Sequence, residues 1–311
     1  MTAADWCFQS DGTTLHGLRW DIEQPAALVY LVHGLAEHVA RYDGFATALN
    51  QAGFMVAGHD QRGHGRTAQA GGILGHFGDQ GGWTSMVGDA AAGVSAWRAE
   101  RPKLPLILFG HSMGSFVVQQ ALWSWPEKFD GAVLSGSNGP PPPLAALGRV
   151  IARIERLRLG PRGRSRLIHA LGFDGMNKAF QPARTDMDWL SRDPEMVDRY
   201  IADPECGFIA STASWIGLLD ALSSLASKRN LQRVPASMPI HLAAGQRDPV
   251  GDFGKGVRRL HDLYRDAGVT DLTMTLYDGA RHEILNESNR AEVTADIIAR
   301  MRQMIGVPAS P

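Results

Sequence analysis

The sequence has few cysteines and no long apolar run. Cys7 and Cys206 are the only cysteines among 311 residues, and their wide separation excludes a disulfide-rich secreted domain and a cysteine-based metal knuckle. The N-terminal residues lack the basic and apolar regions of a secretion signal, and the apolar run 26–32 is far too short to span a bilayer. We therefore expect a cytoplasmic chain without a transmembrane segment.

The chain also lacks an excess of charge of either sign. Its 31 Lys and Arg residues balance 32 Asp and Glu residues, and the net charge of −1 excludes the strongly basic character of nucleic-acid-binding domains. Hydrophobic residues make up 44% and charged residues 20%, which is the composition of a folded globular protein. We expect a well-packed core and no nucleic-acid partner.

Short apolar runs alternate with longer stretches of helical character. Continuous apolar strands in this arrangement predict a mostly parallel sheet with helices on both faces. Asp11-Gly12, between two extended segments, predicts a hairpin turn ahead of this alternation. The runs that predict strands are 27–32, 54–57, 106–109, 132–134, 240–244 and 272–277.

The alternation is interrupted in the middle of the chain. No strong strand pattern occurs there, and Pro140–Pro143 predicts a stiff connector. The segment 144–157 has apolar residues at helical spacing along one stripe, and 290–304 shows a similar pattern near the end of the sequence. The predicted division is core residues 1–136, an inserted helical cap of residues 137–235, and core residues 236–311.

The strongest chemical signal is the segment 110–114, Gly-His-Ser-Met-Gly, which follows an apolar strand and precedes a helical stretch. A sharp strand-to-helix turn strains its middle residue, and glycines on both sides remove side chains that would collide. We therefore expect Ser112 to expose its hydroxyl as a nucleophile. The N–H of Met113, at the helix start, should face the oxyanion that forms.

A serine nucleophile needs a histidine base and a carboxylate that orients the histidine. In this architecture the acid and then the histidine follow the serine along the chain, each on a loop after a strand. Asp248 and His282 occupy such positions. Asp252 and Asp278 are alternative acids, but Asp252 lies a turn later and Asp278 is nearly on the strand, which favours Asp248.

A second oxyanion donor is expected in the loop after the run 27–32. Gly34 lets the chain approach closely there, and the backbone N–H of Leu35 is the candidate donor. His33 and His38 could instead serve as zinc ligands. No third and fourth ligand accompanies them at helical or knuckle spacing, so we expect no metal.

The segment 63–68 fits the dinucleotide fingerprint G-x-G-x-x-A. Five residues separate the preceding strand from its first glycine, and a glycine pair follows in place of an apolar helix. Asp60 and Arg62 are better explained as a hydrogen-bond cluster beneath the active-site loops. We therefore expect no nucleotide cofactor.

Taken together, these segments resemble the monoacylglycerol lipase and lysophospholipase branch of the α/β-hydrolases, which is also described as serine-aminopeptidase-like. The motifs are 33–42, 60–67, 110–114 and the segments around Asp248 and His282. The resemblance covers nearly all of the core. It implies an α/β-hydrolase fold with a mostly parallel central sheet, helices on both faces and an inserted, mainly helical cap.

The resemblance also implies the roles of the site residues. Ser112, Asp248 and His282 would form the catalytic triad, and the N–H groups of Leu35 and Met113 the oxyanion hole. The cap would shape an apolar tunnel for an acyl chain, and no cofactor would be needed.

We expect a carboxylesterase that acts on a small ester or lipid substrate. Ser112 would attack the ester carbonyl while His282 takes its proton, and water would then release the acid from an acyl-enzyme. Other chemistry on this fold remains an alternative, namely a peptidase, a C–C hydrolase or a cofactor-free haloperoxidase. A non-catalytic binding protein is a further alternative, against which the complete ordered set of catalytic residues argues.

Two groups of residues are candidates for substrate contact. The first lies in the motif after the oxyanion loop and comprises Glu37, His38 and Arg41. The second consists of apolar cap side chains that could line an acyl pocket, although an ordinary interface between cap and core would explain any one of them. They are Phe180, Trp189, Phe208, Trp215, Ile216, Leu218 and Leu219.

Arginines follow one another closely in the first half of the cap. Arg149, Arg153 and Arg156 are spaced i, i+4 and i+7 on the first predicted cap helix and would form one ridge, here called the arginine ridge. Such a ridge could contact an anionic lipid surface. The interpretation we favour is a solvated face, which could pair with residues 186–205, the acidic cap stretch.

Overall fold

Eight strands form a single sheet in residues 3–141 and 144–306, the part of the chain that the computed structural model describes. Their order is β1-β2-β4-β3-β5-β6-β7-β8, and β3 to β8 run parallel while β1 and β2 are antiparallel to their neighbours. The strands are β1 Ala4–Ser10, β2 Thr13–Trp20, β3 Ala27–Val32, β4 Phe54–His59, β5 Leu106–His111, β6 Gly131–Ser135, β7 Ile240–Gly245 and β8 Leu272–Tyr277.

All residues of β3 to β7 are buried, as a parallel sheet covered on both faces requires. The predicted strands are confirmed, and β4 and β5 extend two residues further than their apolar runs. The hairpin is confirmed as well. Asp11 and Gly12 join β1 to β2 with φ angles of 46° and 69°, the positive values that a two-residue hairpin turn needs.

Eleven α-helices surround the sheet in the described residues. None of them combines the length and the apolarity needed to cross a bilayer. The helices are α1 Asp43–Gln51, α2 Gly65–Gln69, α3 Gly82–Arg98, α4 Met113–Ser124, α5 Leu144–Leu159, α6 Arg166–Phe173, α7 Pro194–Ala202, α8 Thr212–Leu222, α9 Lys228–Leu231, α10 Lys255–Asp266 and α11 Arg290–Met304.

Helices cover both faces of the sheet because strand side chains alternate between them. Tyr30 of β3 belongs to one hydrophobic core together with residues of α3 and α4. Its neighbours Val29 and Leu31 belong to a second core, which includes residues of α1 and α11. Within α11, Val293 and Ile297 are fully buried, as its predicted apolar face requires.

The segment between β6 and β7 contains helices and short 3-10 turns, and no strand among its described residues. It is the inserted helical cap, and its ends at residues 137 and 235 stay a prediction. Pro142 and Pro143 of the predicted connector lie outside the described residues. The cap rests on the core through α8, where Ser214 accepts a hydrogen bond from Phe77 N and donates one to Gly75 O.

Candidate active site

Ser112 lies in the turn between β5 and α4, with φ 50° and ψ −122°. The turn is tight because a Cβ atom at Gly114 would lie 2.0 Å from Val32 O, and one at Gly110 would lie 2.6 Å from Gly114 O. The Ser112 N–H donates to Ser135 O at 2.9 Å, which fixes the turn against β6. The strained turn that the sequence predicts is therefore present, and glycine is required on both sides of it.

His282 and Asp248 lie together on the loops after β8 and β7. His282 Nδ1 is 2.9 Å from Asp248 Oδ2, and Val250 N donates to the other carboxylate oxygen at 2.8 Å. Asp248 is fully buried, whereas Asp252 and Asp278 are exposed. The geometry thus favours Asp248 over both alternative acids.

The electrostatic surroundings of His282 stabilise its protonated form. Burial lowers the pKa of this imidazole, but the Asp248 carboxylate raises it by charge and by hydrogen bonding, and the net result lies above 6.5. The ring of His111 is 4.8 Å from that of His282. Because burial lowers the pKa of His111 to about 3, His111 stays neutral beside the base.

The loop after β3 runs alongside Ser112. A Cβ atom at Gly34 would lie 2.7 Å from Glu37 Oε1 and 3.2 Å from Ser112 Cβ, so a larger residue would crowd both side chains. The Gly34 N–H donates to Glu37 Oε1 at 2.5 Å, which holds the loop in shape. Leu35 and Met113 both line the cavity that contains Ser112 and His282, which is where oxyanion donors are needed.

Glu37, Arg41 and Glu283 form a buried ion network behind Ser112 and His282. Arg41 donates to Glu37 Oε2 at 2.7 Å and to both oxygens of Glu283 at 2.8 and 2.7 Å. Burial raises the pKa of Glu283, but the guanidinium of Arg41 outweighs this and lowers it to about 2. The network therefore ties the oxyanion loop to the residue that follows His282.

Of the three predicted contacts in this motif, Glu37 alone is among the described residues that line the cavity. Arg41 is engaged by its two carboxylates, and His38 Nε2 lies 2.8 Å from Asp203 Oδ2. The interpretation of His38 and Arg41 as substrate contacts is therefore not supported. Arg41 binds two carboxylates that line the cavity without lining it itself, and the partner of His38, Asp203, does not line it.

The cavity next to Ser112 has a volume of about 200 Å³ and is largely apolar. The predicted Trp189, Phe208, Trp215 and Leu218 line it, whereas Phe180, Ile216 and Leu219 do not. Several lining residues were not predicted from the sequence. Two spacings could have indicated some of them: Phe116 follows Ser112 by one helical turn, and His169 and Phe173 lie on one helix face at i, i+4. The missed residues include Phe116, His169, Phe173, Met176, Met187, Leu190, Tyr200, Leu222 and Val250.

The loop that matches the dinucleotide fingerprint has a structural role. Asp60 accepts hydrogen bonds from Val39 N at 2.8 Å and Arg66 N at 3.0 Å. Arg62 binds both oxygens of Asp89, at 2.6 and 3.0 Å. These contacts support the interpretation of Asp60 and Arg62 as a hydrogen-bond cluster beneath the loops.

Comparison with known proteins places this geometry in a family. The profile described as serine aminopeptidase, S33, matches residues 23–289. A monoacylglycerol lipase of Mycolicibacterium smegmatis is 30% identical over 278 residues, which cover 88% of this chain and 87% of that protein. The crystal structure of a thermostable carboxyl esterase from Bacillus coagulans in complex with glycerol has a TM-score of 0.90 at 28% identity, and the match covers 98% of this chain and 99% of that one.

The chain belongs to the serine aminopeptidase S33 family. The matched residues include the turn at Ser112 and the segments with Asp248 and His282. A monoglyceride lipase of Rattus norvegicus is also similar, with 29% identity over 88% of this chain and 80% of that protein. The family confirms the resemblance seen in the sequence, and this S33 chain is a hydrolase of the lipase and esterase type with the α/β-hydrolase fold.

We expect Asp248→Asn to lower kcat/KM of the S33 chain for a short soluble ester by about 10³-fold or more, because asparagine cannot hold His282 in the required tautomer. Asp252→Asn and Asp278→Asn are matched controls on exposed side chains and should retain nearly full activity. Steady-state kinetics of the three purified variants makes the comparison. Greater damage from either control variant would show that the acid is assigned to the wrong residue.

The activity of the S33 chain should fall as the pH is lowered, because a protonated His282 cannot accept the serine proton. Since the surroundings raise the pKa of His282, the midpoint of this acid limb should lie above 6.5. The measurement is kcat/KM for a soluble ester as a function of pH. A midpoint well below 6.5 would contradict the electrostatic role of Asp248.

Proposed function

We propose that the chain is a serine carboxylic ester hydrolase that cleaves single-chain lipid esters, such as monoacylglycerols and lysophospholipids, through an acyl-enzyme. One observation carries the proposal: the strained Ser112 turn and the His282–Asp248 pair face the same largely apolar cavity. The monoacylglycerol lipase of M. smegmatis and the glycerol-bound esterase of B. coagulans support this substrate class.

In the proposed reaction the Ser112 hydroxyl attacks the ester carbonyl while His282 accepts its proton. Asp248 holds His282 Nδ1, so that Nε2 is available to the serine. The N–H groups of Leu35 and Met113 stabilise the negative charge on the tetrahedral oxygen. His282 then gives its proton to the leaving alcohol, and a water molecule activated by His282 releases the acid from Ser112.

The cavity wall suits an acyl chain better than a peptide. Trp189, Phe208 and Trp215 present aromatic surface, which matches methylene groups and offers few partners for peptide amides. An aminopeptidase needs an acidic group for the free α-amino group of its substrate. The carboxylates among the described lining residues are Glu37 and Glu283, and both already bind Arg41.

Ser112→Ala should abolish ester hydrolysis, with a loss of about 10⁴-fold or more in kcat, and should leave the circular dichroism spectrum unchanged. Wild type should hydrolyse monoacylglycerols and p-nitrophenyl esters and leave aminoacyl p-nitroanilides intact. Residual ester hydrolysis within tenfold of wild type would refute Ser112 as nucleophile. Efficient anilide cleavage would favour the peptidase alternative.

The cap is the proposed site of contact with lipid surfaces, but the arginine ridge is not free to make it. Arg149 and Arg153 bind Asp220 of α8 at 3.2 and 3.0 Å, and Arg156 donates to the backbone oxygen of Asp79 at 2.9 Å. The expected pairing with the acidic cap stretch was wrong for these arginines. Their partners come from α8 and from a core loop.

The exposed surface of the first cap helices also carries several large apolar side chains. Leu157 is 88% exposed and Ile154 57%, and both lie on the stripe that the sequence predicts for α5. A group of large exposed apolar side chains marks an interaction surface more often than single ones do. We name this group the apolar cap face, which comprises Leu147, Val150, Ile154, Leu157, Leu167 and Leu171.

Helix α6 connects the apolar cap face to the cavity. Leu167 and Leu171 are exposed, while His169 and Phe173 of the same helix line the cavity beside Ser112. A lipid bound at this face would lie one helix away from the catalytic serine. We therefore propose that the apolar cap face, rather than the arginine ridge, rests on the lipid surface from which the substrate enters.

Replacement of Ile154, Leu157 and Leu171 by serine should weaken binding to phosphatidylcholine vesicles by at least tenfold, because the removed side chains supply the apolar contact. Vesicle sedimentation measures the binding. Hydrolysis of a short soluble ester should be unchanged. Ile201→Ser, which removes an exposed apolar side chain from α7, is the matched control and should bind like wild type.

Salt separates the two mechanisms of surface binding. Contact through apolar side chains should persist as the salt concentration is raised, whereas attraction through arginines is screened over about 10 Å at 0.1 M salt. Binding that requires anionic lipid, falls steeply with salt and survives the triple serine replacement would instead support the arginine ridge.

The location of the chain in the cytoplasm stays a prediction from its cysteine content.

A further inference from the structure

Three side chains of different chemistry meet between the oxyanion loop and the cap. His38 Nε2 lies 2.8 Å from Asp203 Oδ2, and these atoms and Cys206 Sγ all lie within 4.8 Å of one another. Glu205 Oε2 lies 4.0 Å from His38 Nε2. None of the four residues has a part in the proposed ester hydrolysis.

Imidazole, thiolate and carboxylate are the ligands from which proteins build zinc sites. Zinc bonds of 2.0–2.3 Å at tetrahedral angles place ligand atoms about 3.3–3.7 Å apart. The His38–Asp203 pair would have to open by about half an ångström, and the Cys206 sulfur would have to move by about an ångström at most.

We propose that His38, Asp203 and Cys206 form a zinc site, with Glu205 or water as the fourth ligand. In the sequence, no third and fourth ligand accompanies His33 and His38 at helical or knuckle spacing. The structure supplies the missing ligands from the cap, at positions more than 160 residues away along the chain. A bound ion would therefore fasten the cap to the core.

The burial of the three side chains and a route from solvent are both consistent with a metal site. The side chains of His38 and Asp203 are 12% and 28% exposed, and Cys206 is buried. Asp203 also lines a wide groove of mixed polarity that opens to solvent beside α1 and α7, which gives the ion a path inwards.

The local charge also favours a cation. Arg41 is the nearest guanidinium, but Glu37 and Glu283 already neutralise it. The carboxylates of Asp203 and Glu205 therefore leave the cluster anionic. The ligand form of Cys206 is the thiolate, so zinc binding displaces the thiol proton as the Zn–S bond forms.

The proposed zinc site lies next to the oxyanion loop and would restrain it. The cap segment already contacts that loop, because Gly207 N and Tyr200 Oη both donate to Ala36 O at 3.0 Å. Ala36 follows the proposed oxyanion donor Leu35, and His38 lies two residues further on. Zinc would hold this part of the loop and the segment after α7 in one rigid unit.

The test is titration of the full-length, chelator-treated protein with Zn²⁺ against a chromogenic indicator. Wild type should bind one ion per chain. Cys206→Ser and His38→Gln should each weaken that binding by at least tenfold, because each removes a ligand. Cys7→Ser and His261→Gln are matched controls at residues outside the cluster and should bind Zn²⁺ like wild type.

Cobalt gives a second readout, which does not depend on how the variants fold. Co²⁺ bound to wild type should show thiolate-to-metal charge-transfer absorption in the near ultraviolet, and Zn²⁺ should abolish it by displacement. Zn²⁺ should also raise the Tm of wild type and of Cys7→Ser, but not that of Cys206→Ser. Equal Zn²⁺ affinity in wild type and Cys206→Ser, or a Co²⁺ complex without the thiolate band, would overturn the proposal. Either result would mean that His38 and Asp203 form only a hydrogen bond and hold no metal ion.

Discussion

The close contact between the start of α4 and the end of β3 is the constraint from which the site follows. At Gly114 a Cβ atom would lie 2.0 Å from Val32 O and 2.4 Å from His33 O, so the helix can sit on the strand only if this residue is glycine. The contact brings the helix N-terminus and the oxyanion loop to the same point of the sheet edge. Ser112 stands out of the turn because the backbone on both sides is packed this tightly.

The buried Glu37–Arg41–Glu283 network adds a second constraint. Buried charges are costly to desolvate, and loss of one partner from such a group destabilises a protein by about 3–5 kcal/mol. Each carboxylate binds Arg41, and Glu37 also accepts hydrogen bonds from Gly34 N and Tyr42 Oη. The oxyanion loop and the histidine loop are thereby held to one guanidinium, so a shift of either loop disturbs both.

Local sequence patterns were sufficient to predict the strands of the core and to select the candidate catalytic residues. A buried strand followed by a loop identifies Asp248 and His282, because every parallel strand delivers its loop to the same edge of the sheet. The same patterns could not orient the side chains of the motif at 37–41, since their partners depend on how the cap packs. An amphipathic pattern in α5 likewise shows that one face is apolar but not which face meets the protein. Asp220, the partner of Arg153, lies 67 residues away.

The turn at residues 188–190 limits how the cap can open. Leu190 O accepts a hydrogen bond from Glu283 N at 2.7 Å, and the ring of Trp189 lies 5.2 Å from that of His282. A movement of the cap at this turn would displace His282. The cap and the histidine loop are therefore coupled here, so the packing of the cap also sets the position of the imidazole.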